Sequence, residues 1–146
     1  MLVKSRDSDA DVLIFDLEDA VQAGAKQEAR QLLVAHLSER AASGPRVAVR
    51  VNGLGTPWID DDLRAVIPLA PDYVMLPKSE GVADIADLTS RLAALEGVGQ
   101  FTRVVVAATE TVASVLSLAS QPWSHPRLSG MLWGAEDLAA DLHATG

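Results

Sequence analysis

The sequence predicts an α/β fold built on a parallel sheet, either an open doubly wound sheet or part of a (β/α)8 barrel. Three observations predict it. Short apolar, β-branched runs alternate with segments of helical periodicity from one end of the chain to the other. The runs are apolar on both faces, which suits a parallel sheet covered on both sides. Each run also ends in charged or amide residues, as strands do when they deliver side chains to one rim.

The first strand is predicted over residues 12–17, Val-Leu-Ile-Phe-Asp-Leu, and runs straight into Glu18 and Asp19. Residues 25–42 form a helical pattern with Ala29, Leu32, Leu33, His36 and Leu37 on one face, ended by Ser43-Gly44-Pro45. A second strand covers 46–51, and Asn52-Gly-Leu-Gly-Thr-Pro57 is a loop rich in breakers. A short helix begins near Ile59, turns Leu63, Val66 and Ile67 inward, and stops at Pro68 and Pro71. Residues 73–76 form the third strand. Val82, Ile85, Leu88, Leu92 and Leu95 step by three or four along the next helix. The fourth strand, 103–108, is the most β-branched. A helix with Val112, Val115, Leu116 and Ala119 on its face comes next, then a fifth strand over 128–133 and a helix beginning within 135–143.

With 146 residues the chain has the size of one domain, and half of it is apolar. A formal net charge of −8 argues against nucleic acid or an anionic membrane surface as a partner. There is no cysteine, which removes disulfide and thiol chemistry and suits a reducing, cytoplasmic setting. The first residues are polar and form no apolar signal core, and no run approaches the length of a membrane span.

The chemistry is read from the strand ends. Glu18 and Asp19 come after the first strand, Arg50 and Asn52 close the second, and Lys78 and Glu80 come after the third. Thr109 and Glu110 succeed the fourth, and Glu136 and Asp137 the fifth. In a parallel α/β protein all these positions lie on one face. No Ser-His-Asp set, glycine-rich phosphate loop or spaced histidine pair is present. Several carboxylates with one arginine suit a hard divalent cation held by oxygen, with Arg50 available to a carboxylate.

These residues also resemble a known family. Asp16-Leu-Glu-Asp-Ala-Val21 with Lys26 and Ala29-Arg30, Val49-Arg-Val-Asn52, and Leu76-Pro-Lys78 with Glu80 look like the first three signatures of the citrate lyase β-subunit family, in the HpcH/HpaI aldolase superfamily. Ala108-Thr-Glu-Thr111 and Trp133-Gly-Ala-Glu-Asp-Leu138 look like the fourth and fifth. The resemblance implies a TIM (β/α)8 barrel, Mg²⁺ dependence, and cleavage of a C–C bond in a 3-hydroxy-3-carboxyacyl thioester such as a citryl, malyl or citramalyl group on CoA or an acyl carrier. Loss of the hydroxyl proton would release a keto acid and a thioester enolate. Carried over by motif, Glu110 and Asp137 would be the Mg²⁺ ligands, and Arg50 would bind and stabilise the substrate oxygens. Substrate would also meet Glu110 and the backbone around Gly134, Ala135 and Glu136. Glu18 and Asp19 would order water beside the metal, and Lys26 and Arg30 would support the acidic loop.

Relative to that signature, the five units correspond to strands two to six. The expected domain is therefore a single, partial barrel over 1–146, a piece of a longer enzyme or a shortened relative that closes on another chain. The family also implies a homo-oligomer, a trimer or hexamer. Two other readings stand beside the lyase: a pyruvate-class aldolase acting on free hydroxy-keto acids, and a non-catalytic subunit.

Overall fold

A computed structural model describes residues 9–41, 44–108 and 110–143. Five parallel strands make one sheet in the order β1-β2-β3-β4-β5. They are β1 (Val12–Asp16), β2 (Arg46–Arg50), β3 (Tyr73–Leu76), β4 (Arg103–Ala108) and β5 (Leu128–Trp133). The helices between and after them are α1 (Lys26–Ser38), α2 (Ile59–Val66), α3 (Val82–Leu95), α4 (Val112–Ser120) and α5 (Ala135–Asp141). The order is strictly sequential. It contains no point at which strand order reverses, the feature that creates the ligand crevice of a doubly wound sheet.

Alternation along the strands splits the sheet into two faces. One face carries Phe15, Leu17, Val47, Val49, Val74, Leu76, Val104 and Val106 into a single apolar core. The inner sides of α1, α2 and α3 complete that core through Leu33 and Leu37, Ile59, Leu63 and Val66, and Ile85, Leu88 and Leu92. Leu63, Leu88 and Leu92 are fully buried, and each stabilises the fold by about 1.5–3 kcal/mol. The opposite face holds Ala48, Met75 and Ala107 near the strand centres, with Asp16 and Arg50 at the C-terminal ends of the first two strands.

Three sequence expectations need correction. The first helix ends at Ser38, not near 42, where the Glu39 N–H donates to the His36 carbonyl and the Arg40 N–H to the Leu37 carbonyl. The apolar stripe stops at Leu37, so a further turn has nothing to bury, and Arg40 leaves the helix to pair with Asp72 at 2.8 Å. Within the same helix Leu32 is exposed, whereas Leu33 and Leu37 are buried. In α4 the predicted inner face points outward: Val115 and Leu116 are exposed, while Ser114 is buried and Leu118 packs on the core. A capping box occupies the buried side of the first turn. The Thr111 hydroxyl accepts from the Ser114 N–H, and the Ser114 hydroxyl donates to the Thr111 carbonyl, so the polar groups on that side are satisfied where they are buried. The strand predictions hold, except that β1 ends at Asp16, one residue before Leu17, and β2 at Arg50, one before Val51.

Candidate active site

The site is assembled from the residues at and just past the C-terminal end of each strand. Asp16 and Arg50 are direct partners in the β1–β2 register. The Arg50 guanidinium grips both Asp16 oxygens, Nε to Oδ1 at 2.9 Å and Nη2 to Oδ2 at 2.5 Å. A third contact joins Arg50 Nη1 to Glu18 Oε2 at 3.4 Å. Burial pushes the Asp16 carboxyl up, but the Arg50 hydrogen bonds and the Glu18 N–H outweigh it and hold it below the usual carboxylate range. Asp16 also takes the Glu18 N–H at 2.8 Å, so it shapes the turn that presents Glu18. Arg50 therefore reaches the site already oriented by a carboxylate.

A buried polar web holds that turn from below. The Lys26 ammonium donates to the carbonyls of Leu17 and Glu18, both at 2.7 Å, and lies over the Trp58 ring. Asn52 donates its side-chain N–H to the Leu17 carbonyl at 3.0 Å and to Asp62 Oδ2 at 2.6 Å. Asp62, fully buried, also receives the Asn52 backbone N–H and Arg30 Nη1, each at 2.9 Å. Lys26 thus supports the acidic loop directly. Arg30 does so at one remove, through Asp62 and Asn52.

On the far side, the Lys78 ammonium bridges Glu18 Oε1 at 2.7 Å and Asp19 Oδ2 at 3.1 Å. The backbone N–H of Lys78 donates to Glu110 Oε2 at 2.7 Å. Glu110 is buried, and burial is the largest influence raising its carboxyl above the ordinary value. The Lys78 N–H and the Arg50 charge oppose the rise, while the negative charges of Asp137 and Glu18 add to it. Gly134 lies directly against this side chain. A Cβ built on Gly134 would overlap Glu110 Cγ, so only glycine admits Glu110 in this position.

Arg50, Met75, Ala107, Glu110, Leu132 and residues 133–137 line one cleft of about 400 Å³. Of the sequence-predicted site residues, Arg50, Glu110, Gly134, Ala135, Glu136 and Asp137 border this cleft, and Glu18 and Asp19 join it through Arg50 and Lys78. Glu80 does not: it is exposed, and its N–H is taken by Asp84 at 2.7 Å. Thr109 lies outside the described residues. Asp16 and Lys78 also take part, in roles the sequence does not assign. Asp16 carries the right signal, an acid facing an arginine across two strands, but only the register reveals the pairing. Lys78 is visible in the sequence as a strand-end charge, yet its link to Glu110 runs through the backbone, which no residue type announces.

The donor set can be tested against a divalent cation. Among the described residues no group of three or more His, Cys, Asp or Glu side chains is placed to hold a metal ion. Glu110 and Asp137 are two carboxylates on one cleft, and the Asp137 charge adds to the burial that raises the Glu110 carboxyl. That is the sparse, all-oxygen set with which Mg²⁺ binds when waters and substrate oxygens complete its shell. The residues present fit the ion in that mode.

Comparison with known proteins gives the family and its fold. The family model described as HpcH/HpaI aldolase/citrate lyase matches residues 1–146. A (3S)-malyl-CoA thioesterase of Cereibacter sphaeroides is 39% identical over 142 residues, covering 97% of this chain and 46% of its own. A malyl-CoA/beta-methylmalyl-CoA/citramalyl-CoA lyase of Chloroflexus aurantiacus is 33% identical over 135 residues, covering 89% of this chain and 39% of its own. The chain thus spans about half the length, or less, of these curated relatives. Among solved structures, a citrate lyase beta subunit from M. tuberculosis complexed with oxaloacetate and magnesium superposes with a TM-score of 0.70 at 33% identity, covering 94% of this chain and 54% of that one.

Proposed function

The chain belongs to the HpcH/HpaI aldolase/citrate lyase family, and on that premise we propose that it carries the metal half of a Mg²⁺-dependent carbon–carbon lyase site. The substrate class is a 3-hydroxy-3-carboxyacyl thioester such as citryl-, malyl- or citramalyl-CoA. The observation that carries the reading is the meeting of Glu110, Asp137 and Arg50 on one cleft, with Gly134 shaped to admit Glu110. The sequential, reversal-free sheet supports a partial barrel as the scaffold, its site at the C-terminal strand ends.

Glu110 and Asp137 would hold the ion. When bound, Mg²⁺ supplies Lewis-acid polarisation of the hydroxyl and carboxylate oxygens of the substrate. Arg50, fixed by Asp16, offers its charge to oxygen that becomes negative as the C–C bond breaks, with little reorientation at that moment. Glu18 and Asp19, tied to Lys78, border the site and order its water. The backbone of Gly134, Ala135 and Glu136 lines the cleft where the keto-acid carboxylate would rest. The relative named as a thioesterase supports a second reading, in which the same cleft serves hydrolysis of the thioester.

Calorimetric titration with MgCl₂, with and without oxaloacetate, tests the proposal. Wild type should bind, and Glu110→Gln and Asp137→Asn should each weaken binding by about tenfold or more, the loss of one charged ligand contact. Equal binding by wild type and both variants would remove the metal site. Release of a keto acid from malyl- or citramalyl-CoA, against release of free CoA with the hydroxy acid intact, separates lyase from thioesterase.

A further inference from the structure

Lys78 stands beyond β3, after Pro77, with a backbone φ of +51°, one of three non-glycine residues with positive φ among those described. A side chain with a Cβ rarely occupies this left-handed region. The other two are the turn at Ala70, whose N–H closes onto the Ile67 carbonyl, and the turn at His143, whose N–H closes onto the Ala140 carbonyl. Lys78 differs in where its N–H goes. It is directed across the strand ends to Glu110 Oε2 at 2.7 Å. Glu110 is a buried carboxylate whose position Gly134 restricts from the other side. The strained residue and the close-packed glycine therefore enclose one acid, the arrangement expected where strain serves placement of a functional group.

We infer that Lys78 is a positioning residue that acts on Glu110 through its backbone: the left-handed conformation aims one N–H at Oε2 and so sets the direction in which the carboxylate meets a divalent cation. This rests on the reading of Glu110 as a metal ligand. The ammonium is a separate device, spent on Glu18 and Asp19. The two can be told apart because glycine accepts a positive φ and valine resists it, while both lack the charge.

The test uses the full chain and MgCl₂ alone. Dissociation constants are measured by calorimetry for wild type, Glu110→Gln, Lys78→Gly and Lys78→Val. Lys78→Val should bind Mg²⁺ about tenfold or more weaker than Lys78→Gly, the worth of a hydrogen bond to a charged group. Equal affinities of the two variants, with Glu110→Gln impaired, would overturn the inference and leave Glu110 as a ligand. Unimpaired binding by Glu110→Gln would overturn both. A second measurement needs no variant at position 78. The Lys78 amide resonance should move on Mg²⁺ addition and in Glu110→Gln, as a donor to that carboxylate must. A Lys78 amide indifferent to both overturns the inference even if Lys78→Val does not fold.

Discussion

At the scale of single residues, the candidate site depends on one contact made possible by an absent side chain. Gly134 allows Glu110 to sit where any Cβ would overlap it. The expected result of Gly134→Ala is displacement of Glu110 and a Mg²⁺ affinity weakened by about tenfold or more, since a carboxylate forced from its position loses a charged contact. Titration calorimetry checks the affinity, and an alanine variant that binds like wild type would show that Glu110 has room to move. This glycine is legible in the sequence as part of a motif. Glu110 and Asp137 are legible for a physical reason, because parallel strands point their C-terminal ends the same way. The Asp16–Arg50 pair is not, because it depends on register between two strands. Lys78's conformation is not legible either: a lysine carries no mark of the left-handed backbone a glycine would advertise.

At the scale of elements, the same division recurs. The strands and α3 derive from periodicity, because Ile85, Leu88 and Leu92 leave one burial solution. The orientation of α4 does not: Val115 and Leu116 of its apolar stripe are exposed, and the capped Ser114 side of its first turn is buried. A second polar device joins α3 to β5. Arg127 grips Glu96 with Nη1 to Oε1 at 2.6 Å and Nη2 to Oε2 at 2.7 Å, donates to the Thr102 carbonyl, and lies over the Phe101 ring. Both side chains are nearly inaccessible. The Arg127 hydrogen bonds hold the Glu96 carboxyl below its ordinary value, against burial, with further help from the Thr102 N–H. Its contribution is therefore present above the unfolded carboxylate range, near pH ~4.3, and is lost as pH falls through the lower folded value. Arg127→Leu leaves Glu96 without its partner and should destabilise the fold by about 3 kcal/mol at pH ~7. In urea denaturation the gap between wild type and variant should narrow as pH falls below about 4.3. A gap that stays constant with pH would mean the arginine contributes packing alone.

At the scale of the whole molecule, the sheet is unequally supported. β2 and β3 have neighbours on both sides and contribute Val49 and Val74, fully buried, to the core. β5 is an edge, with Met131, Leu132 and Trp133 exposed among the described residues. Local stability tracks burial and pairing, so hydrogen exchange should be slowest in β2 and β3 and fastest in β5 and α5. The proposed metal site crosses this gradient. Glu110 lies just past β4, supported on both sides, whereas Asp137 belongs to the seven-residue α5 beyond the edge strand. An ion held by both would tie the least supported element to a better supported one, and binding to the folded form alone stabilises whatever must be ordered to bind. At a Mg²⁺ concentration about 100 times its dissociation constant, that linkage amounts to about 2.7 kcal/mol. Protection should therefore rise on Mg²⁺ addition chiefly in β5 and α5, by up to about 100-fold, with β2 and β3 nearly unchanged, and the rise should vanish in Asp137→Asn. Exchange mass spectrometry resolves these segments. A uniform rise across the sheet, or one that survives Asp137→Asn, would place the ion elsewhere than between β4 and α5.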